Sequence, residues 1–146
     1  VEIELDVQNR FLTKDLDAYN TFGDIRGAER PGEYVVIGAH LDSWHAGTGA
    51  TDNAGGVAVV IEAMRILRAL DLHPRRTIRV ALWSGEEQRE RGSTEWLKSN
   101  PALKSQISAY LNVDYETGRI RSIDIGDYRQ AAGISNRYFG PSGTWA

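Results

Sequence analysis

The feature that most constrains the fold is a strand–helix–strand succession between Tyr34 and Trp83. Tyr34-Val35-Val36-Ile37-Gly38-Ala39 is an unbroken apolar run of the kind found in a strand buried on both faces, and the turn cluster Arg30-Pro31-Gly32-Glu33 leads into it. Beyond a Gly-rich loop, Val57, Val60, Ile61, Met64, Leu67 and Leu70 recur at spacings of three and four. That spacing marks the apolar side of an amphipathic helix, and Pro74 stands just past its end as a stop. Thr77 to Trp83 is the next β-rich run. A strand, a helix and a strand in this order imply parallel pairing with a right-handed connection. Ala109-Tyr110-Leu111-Asn112-Val113 reads as another central strand, so the expected class is α/β with a mostly parallel central sheet.

The flanks add shorter elements. Val1, Ile3, Leu5 and Val7 alternate with charged residues and predict a half-buried strand, and a second strand is expected from Tyr19 to Ile25. Thr94 to Ser99 predicts a short helix closed by Asn100-Pro101, and Ile120 to Ile125 a more exposed strand. Gly140 to Ala146 reads as loop and does not resemble the close of a completed domain. A length of 146 residues suits one domain with one core. No apolar run approaches the roughly 20 residues that span a bilayer, so membrane insertion is not expected. The opening residues also lack the basic start and apolar centre of a signal peptide. A net charge of −3 offers no cationic field for a phosphate backbone, which makes nucleic acid a poor candidate partner. With no cysteine there is no disulfide framework and no thiolate site, so any metal must sit on His, Asp or Glu.

Such residues interrupt the apolar runs at telling places. His40 and Asp42 follow the Ile37 run, Glu86 and Glu87 follow Trp83, and Asp114 follows Val113. In open parallel α/β sheets ligands bind beyond the carboxyl ends of the strands, so these side chains should converge on one crevice, which Asp52 can join from its loop. One imidazole among several carboxylates suits zinc, or less selectively cobalt or manganese. Without a cation the carboxylates would raise one another's pKa values and push the crevice apart. Glu86 and Glu87 are adjacent, and neighbouring side chains of an extended segment point in different directions. One can bind metal while the other faces the water that the metal activates, and serves as proton acceptor and donor.

Three segments carry a family resemblance. Gly38-Ala39-His40-Leu41-Asp42-Ser43-Trp44 with Gly47-Thr48-Gly49-Ala50-Thr51-Asp52-Asn53-Ala54-Gly55-Gly56 resembles the first metal motif of the M28 zinc peptidases. Leu82-Trp83-Ser84-Gly85-Glu86-Glu87-Gln88 resembles their second motif and Leu111-Asn112-Val113-Asp114 their third, in the same order. The resemblance implies a three-layer sandwich in which helices flank a mixed, mostly parallel sheet. It also implies a zinc-dependent exopeptidase with a peptide or dipeptide substrate. Asp52 would bridge two zinc ions, His40 and Asp114 would complete one ligand set, and Glu87 would bind the other ion. Glu86 would be the general base and later acid, and Asp42 would orient and polarise the His40 ring. The Asp42-Ser43-Trp44 continuation looks closest to the glutamate carboxypeptidase and plasma-type dipeptidase branch. A secreted or periplasmic location is the accompanying expectation, and homo-oligomerisation is left open. Two departures stand out. No histidine follows Asp114, where the family supplies a last ligand, so two, one or no zinc ions in this chain all remain open. Arg89-Glu90-Arg91 replaces a small and apolar pair, which leaves the pocket's shape there undefined.

Blander readings stand beside these. His40 and Asp42 alone would be a surface turn, Glu86-Glu87 a solvated pair and Asp114 a turn cap; the ordered motifs together reverse that balance. His45 has no ligand counterpart in the family, and His73 is read as a cation complementing a helix C-terminus. Gly47, Gly49, Gly55 and Gly56 lack the Lys-Ser/Thr of a phosphate loop and are read as backbone freedom around Asp52. Trp44, Trp83 and Trp96 are expected in the core or a pocket wall. Rival functions are an inactive fragment or metal-binding module, and a single-zinc acyltransferase of the glutaminyl cyclase type.

Overall fold

The computed structural model describes residues 1–114, 118, 123–125 and 137. In chain order the main elements are β1 (Thr21–Ile25), β2 (Arg30–His40), α1 (Gly56–Ala69), β3 (Arg76–Trp83), α2 (Arg91–Ser99) and β4 (Ile107–Asn112). The sheet order is β1-β3-β2-β4. The continuous apolar run in β2 is explained by its place: β2 pairs in parallel with β3 on one side and β4 on the other. Among the described strands only β1 runs antiparallel, with Thr21 opposite Leu82 and Ile25 opposite Ile78. The mixed, mostly parallel α/β sheet is therefore as expected, and its three parallel strands end on the same side.

Side chains alternate between the two faces of the sheet and build two apolar clusters where one core was expected. On one face Ala39, Val60 and Leu82 are buried against Ile37, Val57, Val80 and Val113, which seats α1 on the sheet. On the other, Val36, Ala81 and Trp83 pack with Tyr34, Trp96 and Ile107. Trp96 anchors α2 there, stacking on Phe22 at 5.1 Å between ring centroids and lying 5.4 Å from Trp83. Trp83 Nε1–H donates to Tyr110 Oη at 2.7 Å, which in turn donates to Asn112 Oδ1 at 2.8 Å. This chain of bonds ties the ends of β3 and β4 across β2. It passes over Gly38, where a Cβ would lie only 2.5 Å from Tyr110 Oη, so a residue without one is required for the close approach.

Several expectations are corrected. Residues 1–7 form no strand, and Val1, Ile3, Leu5 and Val7 are all exposed. Alternation shows only that one face is apolar; a strand also needs a hydrogen-bonded neighbour, and none is present among the described residues. Strand β4 is an edge of the sheet among the described residues, not a central strand. Within the helical stripe Val60 is buried, but Ile61 and Leu70 are exposed, because α1 meets the sheet over a narrower arc than the stripe covers. Trp44 is 61% exposed, so it belongs to neither core cluster. His73 lies past the end of α1, whose last turn carries Arg68 as its basic residue. Of Ile120 to Ile125 only 123–125 are described, and they carry no strand; the loop expected at Gly140 to Ala146 lies outside the described residues. Among the described residues no helix is long and apolar enough to cross a membrane.

Candidate metal centre

Parallel pairing brings the three strand ends together as the sequence pattern requires. His40 is the last residue of β2 and is 2% exposed. Its Nδ1 lies 2.9 Å from the main-chain oxygen of Asp42. A carbonyl oxygen only accepts, so Nδ1 carries the proton, and in the neutral ring Nε2 presents a lone pair to the crevice. Facing that lone pair are Asp52 Oδ1 at 2.9 Å, Asp114 Oδ1 at 3.3 Å and Glu86 Oε2 at 3.8 Å. One ligand atom from each of His40, Asp52 and Asp114 lies within 4.8 Å of the others.

Main-chain geometry sets the acidic side chains. Gly49, at φ 66°, turns the chain into the single irregular turn Ala50–Gly55, in which Asp52 leaves helical geometry at φ −111°, ψ 91°. After β3, Gly85 at φ 69° turns the chain again into Glu86 and Glu87. Their amides are caught by a single carboxylate: Glu86 N–H donates to Asp42 Oδ1 at 3.0 Å and Glu87 N–H to Asp42 Oδ2 at 3.1 Å. Asp42 was expected to act on the imidazole. Its carboxylate is 3.6 Å from His40 Nδ1, whereas its hydrogen bonds go to these two amides and its main-chain oxygen serves the ring. Asp42 thus binds the end of β2 to the loop after β3.

The donor set fits a cation. Asp52 Oδ1, Glu87 Oε1 and Asp114 Oδ1 are buried atoms without a hydrogen-bond partner, an arrangement that costs free energy unless a positive charge joins it. Two orphaned oxygens and an imidazole lone pair on one point form a hard-to-borderline set suited to zinc. Glu87 stands outside the His40–Asp52–Asp114 group yet close enough to Asp52 to feel its charge. His45 is exposed and takes no part in the group.

Electrostatics agree. Burial raises the Glu86 pKa, with the Asp114, Glu87 and Asp42 charges adding to it against His40. Burial and the Asp52 charge raise Glu87. For His40 burial opposes the charged form, but the Asp114, Glu86 and Asp42 charges and the bond to the Asp42 carbonyl outweigh it, so its pKa is raised. A group whose folded pKa is raised contributes stability that is complete below its unfolded pKa and is lost as pH climbs through the folded value. That loss begins above the ordinary 4.5 for the two glutamates and above 6.5 for His40. The metal-free protein is therefore expected to melt at lower temperature as pH rises from about 5.5 to about 8. A saturating divalent ion takes over the proton's neutralising role and should cancel or reverse the slope. Thermal melts in EDTA and in Zn²⁺ across that range measure both; a metal-free melting temperature that climbs with pH would contradict the arrangement.

The profile of peptidase family M28 matches residues 20–139. The chain belongs to peptidase family M28. It is similar to carboxypeptidase Q of Xenopus laevis, 38% identical over 103 residues that make up 70% of this chain and 22% of that protein. A probable glutamate carboxypeptidase of Arabidopsis thaliana is 43% identical over 99 residues, 65% of this chain and 14% of its own. The crystal structure of a peptidase M28 precursor from Shewanella amazonensis superposes with a TM-score of 0.72 at 34% identity, covering 88% of this chain and 30% of that one. The chain thus spans about a fifth of the length of the carboxypeptidase Q it matches. Within this M28 chain the sequence motifs pointed to every acidic residue of the cluster, but not to the neutral side chains that hold it. Asn53 is 1% exposed and joins the start of α1 at Gly56 to Val113, just past the end of β4. Asn20 accepts from Ser84 N–H and donates to Gly92 O, flanking the Glu86–Glu87 loop. Asparagine is a residue type that bonds main-chain N–H groups a few residues along the chain, a signal that could have drawn attention to Asn53 ahead of the helix; nothing periodic marks Asn20.

Proposed function

We propose that this site hydrolyses a terminal peptide bond as a zinc-dependent exopeptidase. The observation that carries the reading is the set of partnerless carboxylate oxygens gathered with the His40 lone pair at the ends of three strands. In this reading His40, Asp52, Asp114 and Glu87 would hold the zinc, with Asp52 the carboxylate shared between the ligand set of His40 and Asp114 and that of Glu87. The ions, when bound, polarise the scissile carbonyl and make water a stronger acid. Glu86 Oε2 accepts the proton of the attacking water as the C–O bond forms, and delivers it to the leaving nitrogen as the C–N bond breaks. A raised Glu86 pKa suits both duties, because the group must release the proton it took. Asp42 holds Glu86 and Glu87 in register through their amides. The similarity to a carboxypeptidase Q and to a probable glutamate carboxypeptidase supports carboxypeptidase action first, with aminopeptidase and dipeptidase action as the alternatives. A single-ion acyltransferase of the glutaminyl cyclase type is the second reading, favoured by how tightly His40, Asp52 and Asp114 group without Glu87.

The test is metal quantification beside hydrolysis of dipeptides with either terminus blocked. Two zinc ions per chain, with hydrolysis lost on chelation and restored by Zn²⁺, is the expected result. One ion with cyclisation of an N-terminal glutamine substrate would favour the second reading, and no bound metal would overturn both.

A further inference from the structure

Asn53 follows Asp52 in sequence and is enclosed almost completely, at 1% exposure. Both ends of its amide are used. Oδ1 accepts from Gly56 N–H at 3.1 Å, at the start of α1, and Nδ2 donates to the main-chain oxygen of Val113 at 2.8 Å. Val113 is itself held from the other side, its N–H donating to Gly38 O of β2 at 2.9 Å. The next residue along the chain is Asp114. Asp52 and Asp114, remote in sequence, are thus each one peptide unit from the two ends of a single part-buried hydrogen bond. Gly56 makes the approach feasible: a Cβ there would strike Asn53 Oδ1 and come 2.7 Å from Val113 O.

We propose that Asn53 is a positioning residue that sets the separation of the Asp52 and Asp114 carboxylates facing His40 Nε2, through its bridge to the Val113 carbonyl. This rests on the metal-site reading above. The chemistry demands an amide. The bridge needs an acceptor for Gly56 and a donor for Val113 on one short side chain, and Asn supplies both. Aspartate has the same shape but no donor, and would set a carboxylate against a carbonyl. Serine keeps an oxygen that caps Gly56 N–H, as serine and asparagine do comparably at helix starts, but is too short to reach Val113. Serine therefore separates the capping of α1 from the spacing of the two ligands.

The experiment titrates the parent, Asn53→Ser and Asn53→Asp with Zn²⁺ against a chromophoric chelator, and records the Co²⁺ ligand-field spectrum and the metal-free melt of each. Groups that orient metal ligands are typically worth 10- to 100-fold in affinity, so both variants should bind Zn²⁺ roughly 10- to 100-fold more weakly. Their Co²⁺ spectra should shift as well, and Asn53→Ser should melt near the parent without metal. Parent-like affinity and spectra in both variants would overturn the inference while leaving the metal site intact. So would an affinity loss in Asn53→Ser that only tracks a lower melting temperature with an unshifted spectrum, since that is a folding role alone. A parent that binds no Zn²⁺ would overturn the metal-site reading, and this inference with it.

Discussion

Replacing Glu86 by glutamine in the active protein is expected to lower kcat by roughly 100- to 10,000-fold, the usual worth of a positioned general base, while zinc content stays unchanged. The two halves of this expectation come from different observations. Glu86 Oε2 faces the cluster at 3.8 Å from His40 Nε2, at the border of the ion-pair range and beyond the approach of Asp52 and Asp114. Its oxygens also do not figure among the partnerless buried atoms, unlike those of Glu87, Asp52 and Asp114. Among Asp52, Glu86, Glu87 and Asp114, Glu86 is therefore the one that neither completes the compact group nor carries an orphaned oxygen. Glutamine keeps the shape and the main-chain bond to Asp42 and removes only the ability to take a proton. Rates of dipeptide hydrolysis and metal analysis on the same preparation decide it. Zinc lost in parallel with activity would make Glu86 a ligand and leave the base unassigned.

The second large effect is expected at Asp52. Asp52→Asn should weaken Zn²⁺ binding by more than about 100-fold, since loss of groups that merely orient ligands already costs about 10- to 100-fold. Two charges depend on this carboxylate in opposite ways. It approaches His40 Nε2 to 2.9 Å, and its charge raises the pKa of Glu87. With no ion present, asparagine relieves the repulsion on Glu87 and can donate its own N–H to the neutral ring nitrogen. The metal-free variant should therefore melt no lower than the parent at a pH of about 8, although it has lost its metal. That combination separates a ligand from a residue needed for folding. Calorimetry in EDTA and a zinc titration supply the two measurements; unchanged zinc affinity would remove Asp52 from the centre.

Both experiments address residues that stand out in the linear sequence, because each breaks an apolar run or follows one directly. Tyr34 to Ala39 could be read as a doubly buried strand because only a strand flanked on both sides tolerates such a run, and β2 is so flanked. From that strand, the helix and Thr77 to Trp83, parallel pairing followed from connection geometry alone. Parallel pairing then required His40, Glu86, Glu87 and Asp114 to share one end of the sheet. The α/β class and the place of the cluster were therefore determined by local pattern and order.

What local pattern could not contain was who holds whom. Val1 to Val7 alternates as a strand should, yet among the described residues it has no strand beside it, because pairing is a property of two segments and periodicity of one. Asp42 was legible as a site residue, but its clasp on the Glu86 and Glu87 amides was not, since main-chain donors leave no mark in a sequence. Asn53 looks like any loop asparagine until the fold sets the Val113 carbonyl 2.8 Å from its amide. The chain's own letters determined which chemistry gathers and at which end of the sheet. Only the tertiary structure decided the spacing of the clustered side chains, because directional hydrogen bonds between distant segments fix it to within tenths of an ångström.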